Sequence, residues 1–410
     1  MVEPVTTATI YRFVTNTAAC LVSMDDSVAA GQQLCLTGVF SSINGTVTAI
    51  DTQPGLNPGF FETLTIEIKP NAKEDNSFLQ PLHRPLEDQE IIARVQTLGL
   101  RGMGGGGFPT HLKLTDAKQN NAHCLVINAM ECEPGVSVDT DLLNLAAAQV
   151  FSGAQLAAQA AGLTEIVLAT KSGFDFGTHH DIQHREVDGK YPQGEERRLL
   201  HTLFNLDIPA TQTPTQQGCL VLNTATCFAI HRAIAHGEPV LQRLTSINGV
   251  SSWVKIGHPI GELTANPACG GETTAWSAPV TAGLTATTYA LSTKSSKIQT
   301  GCIRCSRCRE VCPEPLLPDE LVWQIKSQNW PLLSSLQLDT CIECGACDLV
   351  CPSQIPLLAH LRFGKSVLSG LENKAMAAAQ ATKHVHAREA RILREDRDRE
   401  LRRVARLKTS

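Results

Sequence analysis

The sequence predicts a multidomain chain that combines α/β and β architecture, and three observations carry that prediction. Its 410 residues suffice for two to four domains, each with a hydrophobic core of its own. Two buried-strand candidates, CLVINA at 124–129 and EIVLAT at 165–170, flank an Ala-rich helix at 142–162, which is the order of a right-handed βαβ unit. Nearer the C-terminus the run C-x2-C-x2-C-x3-C-P occurs twice, a pattern that orders a small domain around inorganic chemistry.

Taken in order, residues 20–70 read as short strands separated by turns: CLVSM, VAAGQQLCLTG, GTVTAIDT and TLTIEIKP. They predict a small N-terminal β domain. A polar linker, NAKEDNSFLQPLHRP, leads to an amphipathic helix over Leu86 to Leu98, which runs into the glycine cluster GLRGMGGGGFPTHLKL. The βαβ unit follows. GCLVLNTAT at 218–226 reads as a further strand before the helix CFAIHRAIAHG, and residues 238–292 return to short Thr- and Gly-rich β segments. The chain closes on a charged helix in which ten Lys/Arg face five Asp/Glu between Lys383 and Lys408. That helix reads either as a solvated face laced with i, i+4 pairs or as a docking surface for an acidic partner or lipid head groups.

Composition narrows the classes. With 35 Lys+Arg against 40 Asp+Glu, no global field draws the chain to nucleic acid, and none is expected as a partner. The first twenty residues carry no basic region followed by a long apolar run, so no secretory signal is read and a reducing compartment is expected. The stretch Leu142 to Leu163 is apolar but interrupted by Asn144, Gln149, Ser152, Gln155 and Gln159, too polar for a good membrane span. Membrane contact is therefore expected through partners.

Fifteen cysteines are the unusual count, and an odd number suits metal ligation better than complete disulfide pairing. Eight of them form the two runs, Cys302, Cys305, Cys308 and Cys312, then Cys341, Cys344, Cys347 and Cys351, 39 residues apart at every position. An iron–sulfur cube needs four thiolates, of which three closely spaced cysteines wrap three corners while the fourth reaches the other cluster. The expected sets are Cys302, Cys305 and Cys308 with Cys351, and Cys341, Cys344 and Cys347 with Cys312. The competing reading is two structural zinc sites, which have no use for the third cysteine or the closing proline. Two 4Fe-4S clusters imply one-electron transfer. The remaining cysteines, at 20, 35, 124, 132, 219, 227 and 269, show no ligand spacing and read as buried free thiols.

Gly102, Gly104 and Gly107 satisfy G-x-G-x-x-G, but a helix and not a strand precedes them, so a dinucleotide fingerprint fails its context. The run still permits close backbone approach to a ligand or an anion-binding nest, beside the plainer reading of a turn. Phe108 is placed to stack on a ring and Lys113 to neutralise a phosphate.

The strings GLRGMGGGGFPTHLKL, INAMECEPGVSVDTDLL, KYPQGEERRLL, LNTATCFAIHRAIAHGEPVLQRLTSING and CIECGACDLVCPSQIPL closely resemble the RnfC family, the C subunits of the Rnf (Rsx) ion-translocating electron-transport complex, over nearly the whole chain. The flavin region is also similar to the NADH-binding flavoprotein subunit of respiratory complex I. The resemblance implies a small barrel-sandwich-like β domain at 1–72, an FMN/NADH-binding α/β domain at 86–236, a β-grasp (SLBB-like) module at 237–298, a ferredoxin-like domain with two 4Fe-4S clusters at 299–364 and a basic helical tail at 365–410. It implies noncovalent FMN, NAD(H) at the same flavin, and an oxidoreductase subunit peripheral on the cytoplasmic side of the bacterial inner membrane. Electrons would pass between NAD(H), FMN and the clusters toward membrane partners and, indirectly, ferredoxin, with ion translocation left to other subunits.

Position by position, the resemblance implies that Gly102, Gly104, Gly105, Gly107, Phe108 and Lys113 form the flavin-phosphate and nicotinamide loop. It also implies that Asn128, Glu131 and Glu133 form a carboxylate-rich flavin turn. Tyr191, Gly194, Glu195 and Glu196 resemble complex I's Tyr-x-x-Gly-Glu-Glu, and Asn223 and Thr226 match its Asn-Asn-x-x-Thr. Phe108, Glu131, Glu133 and Glu195 are the residues expected to serve the chemistry. The chain departs from the family where Gly106 replaces Ala, where Met103 stands for complex I's Arg, and where Gly270-Gly271-Glu272-Thr273 replaces Gly-Gly-Pro-Met. Two rival readings accompany this one. The first is a soluble flavin and iron–sulfur reductase of the microcompartment cobalamin-reductase type, and the second is a non-catalytic redox-sensing or scaffolding subunit.

Overall fold

The computed structural model describes all residues except 1–6, 16–19, 54–62, 84, 132–135, 174–180, 189–190, 210–211, 264–267, 270–271, 274–298 and 409–410. In the N-terminal part an antiparallel four-stranded sheet has the order Tyr11–Thr15, Thr63–Pro70, Gly45–Gln53, Ser27–Val28. Period-2 alternation puts Tyr11, Phe13, Val47, Ile66 and Ile68 on one buried face. The segment CLVSM is not a strand, since it contributes only the bridge Cys20 to Cys35, whereas YRFVT, for which the sequence pattern predicted no strand, forms the edge strand beside Thr63–Pro70. The polar linker is docked: Ser77 N donates to Ala30 O at 2.7 Å, Leu79 N to Gly237 O at 3.0 Å and Leu82 N to Ile234 O at 2.9 Å. Its backbone finds fixed partners on both sides, so it joins its neighbours instead of separating them.

The central unit is a parallel four-stranded sheet in the order Cys219–Asn223, Cys124–Ala129, Glu165–Lys171, Gln183–Val187. The chain steps outward from Cys124–Ala129 through two strands and then returns to the opposite side with Cys219–Asn223. Strand order therefore reverses between Asn128 and Asn223, which are register partners at the carboxyl ends of their strands. A reversal of this kind opens a crevice at the strand ends, the usual place for a ligand in α/β sheets. The helices Val138–Ala161 and Thr224–Ala235 cover one face, and they approach so closely at Gly153 that an added Cβ would lie 1.8 Å from Cys227 O. The stretch read as strand through residue 226 ends at Asn223, whose side chain caps the helix beginning at Thr224 by accepting from Ala225 N at 3.0 Å.

Of the second β module, the described residues include the antiparallel hairpin Gln242–Ile247 and Val250–Lys255, a turn at Ile260–Glu262, and the short strands Ala268–Cys269 and Glu272–Thr273. Gly270, Gly271 and most of the remainder to residue 298 lie outside the described residues. The chain just after the hairpin packs on the N-terminal sheet, with Arg12 N donating to Gly257 O at 2.7 Å and Tyr11 meeting His258 edge to face at 5.6 Å. The cysteine-bearing unit is built from the short helices Arg307–Glu310, Pro318–Lys326, Trp330–Ser335 and Ala346–Val350 around Leu321, Ile325, Leu333, Leu338 and Leu361. The last helix runs from Leu357 to Lys408, roughly 78 Å at 1.5 Å per residue. Its first turns bury Leu357, Leu358 and Leu361, so the helix is continuous across residue 365 and its beginning belongs to the cysteine-bearing unit. No helix among the described residues is long and apolar enough to cross a membrane.

Candidate functional site

A cleft of about 570 Å³ opens at the strand-order reversal. One wall is the glycine loop at Gly104, Gly105 and Gly106. Gly105 has φ of +103°, a conformation that L side chains rarely adopt, and a Cβ built at Gly105 or Gly106 would meet nothing within 4 Å. The loop is anchored from beneath. Met103 N donates to the Thr226 hydroxyl at 2.9 Å, and the fully buried Arg243 reaches from the hairpin to Met103 O at 3.1 Å.

The floor is the pair of strand ends. Asn128 Nδ2 donates to Gly194 O at 2.9 Å, and its Oδ1 accepts from Met130 N at 3.1 Å, which fixes segment 191–195 over the sheet. Asn223 Nδ2 donates to Asp139 Oδ1 at 2.8 Å; the same oxygen accepts from the Thr224 hydroxyl, and Asp139 N donates to Glu131 Oε1. Glu195 caps the helix Glu196–Phe204, accepting from Arg198 N at 3.0 Å. Burial raises the pKa of its carboxyl above the ordinary value, and the amides of Arg198 and Arg197 offset only part of that rise.

The opposite wall comes from the cysteine-bearing unit: Cys341, Ile342, Glu343 and Cys344, with Arg362 and Lys365 from the long helix. Tyr191 Oη donates to Cys344 O, and Arg198 donates to Pro313 O at 3.0 Å, so the sheet unit grips both segments that carry this set of thiols. Glu343 is held by Lys365 Nζ at 2.8 Å and Arg362 Nε at 3.1 Å. Burial would raise its carboxyl, but the two cations hold it below its ordinary pKa.

The two cysteine runs fold alike. Arg304 and Glu343 both have φ of 56°, and Ser306 and Gly345, one repeat apart, are also left-handed at 60° and 73°. Cys302, Cys305 and Cys308 border one hollow together with Cys351; Cys341, Cys344 and Cys347 border another together with Cys312. Four thiols around each hollow are the donor set that a 4Fe-4S cube takes. Among the described residues, no three His, Cys, Asp or Glu side chains converge closely enough to hold a single metal ion.

Of the residues singled out in the sequence, Gly104, Gly105, Asn128, Glu131, Tyr191, Gly194, Glu195 and Asn223 line the cleft. Gly102, Gly107, Phe108, Lys113, Glu196 and Thr226 stand outside its lining. Phe108 is 54% exposed. Lys113 lies behind the sheet ends, its ammonium on Glu196 at 2.5 Å and on Val221 O at 2.8 Å. Thr226 supports the loop as described, and Glu133 lies outside the described residues. Cys35, Cys124, Cys219 and Cys227 are buried free thiols and Cys20 is half-buried. Asp139, Arg362 and Lys365 were missed. Asp139 had a faint signal as an acid in the first turn of a helix; Arg362 and Lys365 fall at the boundary between the expected cluster domain and tail, outside the charged run Lys383 to Lys408, and carry no signal.

Residues 95–232 match the model of the Nuo51 FMN-binding domain, and residues 301–355 match that of a 4Fe-4S dicluster domain. The chain therefore carries a complex-I-51K-like FMN-binding domain and a 4Fe-4S dicluster domain. A curated relative named as the C subunit of the ion-translocating oxidoreductase complex, from Edwardsiella ictaluri (strain 93-146), is 30% identical over 93% of this chain and 53% of its own length. The protein of the same name from Erwinia tasmaniensis is 31% identical over 90% of this chain and 51% of its own. The chain thus spans about half the length of the curated relatives it matches. Two solved structures of an NAD+-reducing NiFe hydrogenase, in the H2-reduced and air-oxidised states, are 17% identical over 68% of this chain and 60% and 61% of theirs, with TM-scores of 0.45 and 0.47.

Proposed function

We propose, on the premise that this chain resembles the C subunits of the ion-translocating oxidoreductase complexes along nine-tenths of its length, that it is the peripheral redox subunit of such a complex. In this reading it exchanges electrons between NAD(H), FMN and two 4Fe-4S clusters, toward membrane partners on the cytoplasmic face and, through them, ferredoxin. Other subunits move the ion. The observation that carries the reading is the single cleft whose lining joins the glycine loop and strand ends of the FMN-binding domain to Cys341 and Cys344 of the dicluster domain.

The residues present fit the groups the reading requires. Open space above Gly105 and Gly106 admits a ligand against bare backbone, and each cysteine hollow has four thiols. When bound, FMN exchanges two electrons with a nicotinamide and one at a time with iron–sulfur clusters. The chain's own residues bind and orient. Gly104 to Gly106 let the ligand approach the main chain, and Asn128 and Asn223 hold Gly194 and Asp139 over the strand ends. Glu131 and Glu195 present carboxylates toward the cleft, and Tyr191 keeps the Cys341–Cys344 segment against it. Lys113 acts indirectly by fixing Glu196 at the start of the helix that Glu195 caps.

Anaerobic purification with the membrane partners tests this. The expected preparation holds FMN and about eight iron and eight sulfide per chain, and its flavin absorbance bleaches on adding NADH. A preparation that holds zinc in place of iron, or a flavin that NADH leaves oxidised, overturns it.

A further inference from the structure

The cleft presents a charge problem that the FMN-binding domain does not solve. Its wall from that domain offers Glu131, Asp139 and Glu195, all acids. None of the cations bonded at or beside the glycine loop lines the cleft: Lys113 holds Glu196 and Val221 O, while Arg101 and Arg243 donate to the carbonyls of Gly107 and Met103, each at 3.1 Å. A nucleotide brings at least one phosphate, which needs cationic or backbone donors. Among the described residues lining the cleft, the cationic side chains are Arg362 and Lys365, and both come from the cysteine-bearing unit.

Both retain donors for a ligand. Arg362 meets Glu343 through Nε, and among the described residues no hydrogen bond engages its terminal amino groups, which form the outer part of the guanidinium fork. Lys365 Nζ donates to Cys341 O at 2.9 Å and to Glu343 at 2.8 Å, so one of its three N–H groups is left. Glu343 cancels one of the two charges and fixes the pair one helical turn apart. The result is a singly positive, preorganised fork facing an otherwise acidic cleft.

We propose that Arg362 and Lys365 form a phosphate-binding site, contributed by the cysteine-bearing unit, that takes a phosphate ester of the nucleotide held in the cleft. The inference rests on the proposed function and extends it by assigning the nucleotide site to two domains. The phosphate comes from a dinucleotide or from the flavin mononucleotide, and the test separates the two.

The protein loaded with FMN and clusters is titrated calorimetrically with ADP-ribose, which carries the dinucleotide's phosphates but no redox group, while FMN and iron are quantified. In the Arg362→Ala/Lys365→Ala variant, ADP-ribose binding weakened about tenfold or more with FMN and iron retained assigns the site to the dinucleotide. Loss of FMN with iron retained and ADP-ribose affinity unchanged assigns it to the mononucleotide. Wild-type values on both counts overturn the site and leave the pair as partners of Glu343 only. Because Lys365 also braces Cys341, Arg362→Ala alone decides the question if the double variant loses iron. Glu343→Gln removes the competing carboxylate and is expected to tighten phosphate binding several-fold, a sign that a merely structural role does not produce. A wild-type protein that keeps FMN yet binds neither NADH nor ADP-ribose removes the dinucleotide from the functional reading, and the FMN arm then decides the site by itself.

Discussion

The loops Cys302–Cys312 and Cys341–Cys351 have the same cysteine spacing and the same left-handed backbone positions, and Cys308 and Cys347 are both buried, yet their first two cysteines meet different surroundings. In the first, Cys302 and Cys305 are exposed, Ile303 is 67% exposed, and Arg304 and Arg307 are also exposed. In the second, Cys341 and Cys344 are half-buried; Glu343 is pinned by two cations, and Tyr191 holds the carbonyl of Cys344. A duplicated motif fixes which metal chemistry a loop can support, but the packing around each copy decides what that copy can exchange electrons with. The second loop faces the cleft and the first faces solvent, which orders the proposed relay from cleft to surface.

The largest expected effect concerns the crossing of ligands between the loops. Cys312→Ala removes a thiol from the hollow of Cys341, Cys344 and Cys347, so iron should fall from about eight to about four per chain while the surface cluster keeps its spectrum. Selective loss of the surface cluster instead would reverse the assignment. Next in size, Gly105→Val places a side chain where φ is +103° and where the ligand must approach. At about 1–3 kcal/mol for such a backbone, flavin affinity should drop roughly ten- to hundredfold with iron unchanged, as read by FMN released on dialysis.

A smaller effect probes the asymmetry itself. With Cys302 and Cys305 exposed, the Cys302 loop should surrender iron to a chelator several-fold faster than the Cys341 loop, which low-temperature spectra taken along the time course resolve. Equal rates would mean that packing does not distinguish the loops. Tyr191→Phe removes the hydrogen bond to Cys344 O and should cost about 1 kcal/mol, erasing part of the difference between the two release rates while sparing the Cys302 loop. The smallest effect is a pH dependence. Burial raises the Glu195 pKa, so its contribution to stability is fully present below the unfolded value of 4.5 and is lost as pH rises through the higher folded value. Urea midpoints measured across that window should decline more in the wild type than in Glu195→Gln.

Local pattern made much of this molecule legible before its structure. Thr63–Pro70 alternates cleanly and is the strand that alternation predicts, and the constant repeat of the cysteines yields two loops of matching backbone. Features that depend on convergence were not legible. Asn223 continues a Thr-rich, strand-like run, and only its capping of Thr224–Ala235 ends the strand there. Lys113 has the residue type for a phosphate contact, but Glu196, 83 positions later, reaches it first. Arg362 and Lys365 carry no signal of a site because the residues they face across the cleft, from Gly104 to Asn223, belong to a distant part of the sequence that only the fold brings near.

The grip of Tyr191 and Arg198 on Cys344 and Pro313 makes the cleft and the relay an interlock. In the proposed reading, a cluster tying Cys341, Cys344, Cys347 and Cys312 together would add a second brace to the wall that carries Arg362 and Lys365. A flavin site with no outlet for electrons would otherwise be a hazard, since reduced flavin that cannot discharge onward passes electrons to dioxygen. In that reading, sharing one wall between nucleotide capture and onward transfer would leave a chain without its cluster poor at picking up reducing equivalents in the first place, so that incomplete assembly would fail toward inactivity and not toward leakage.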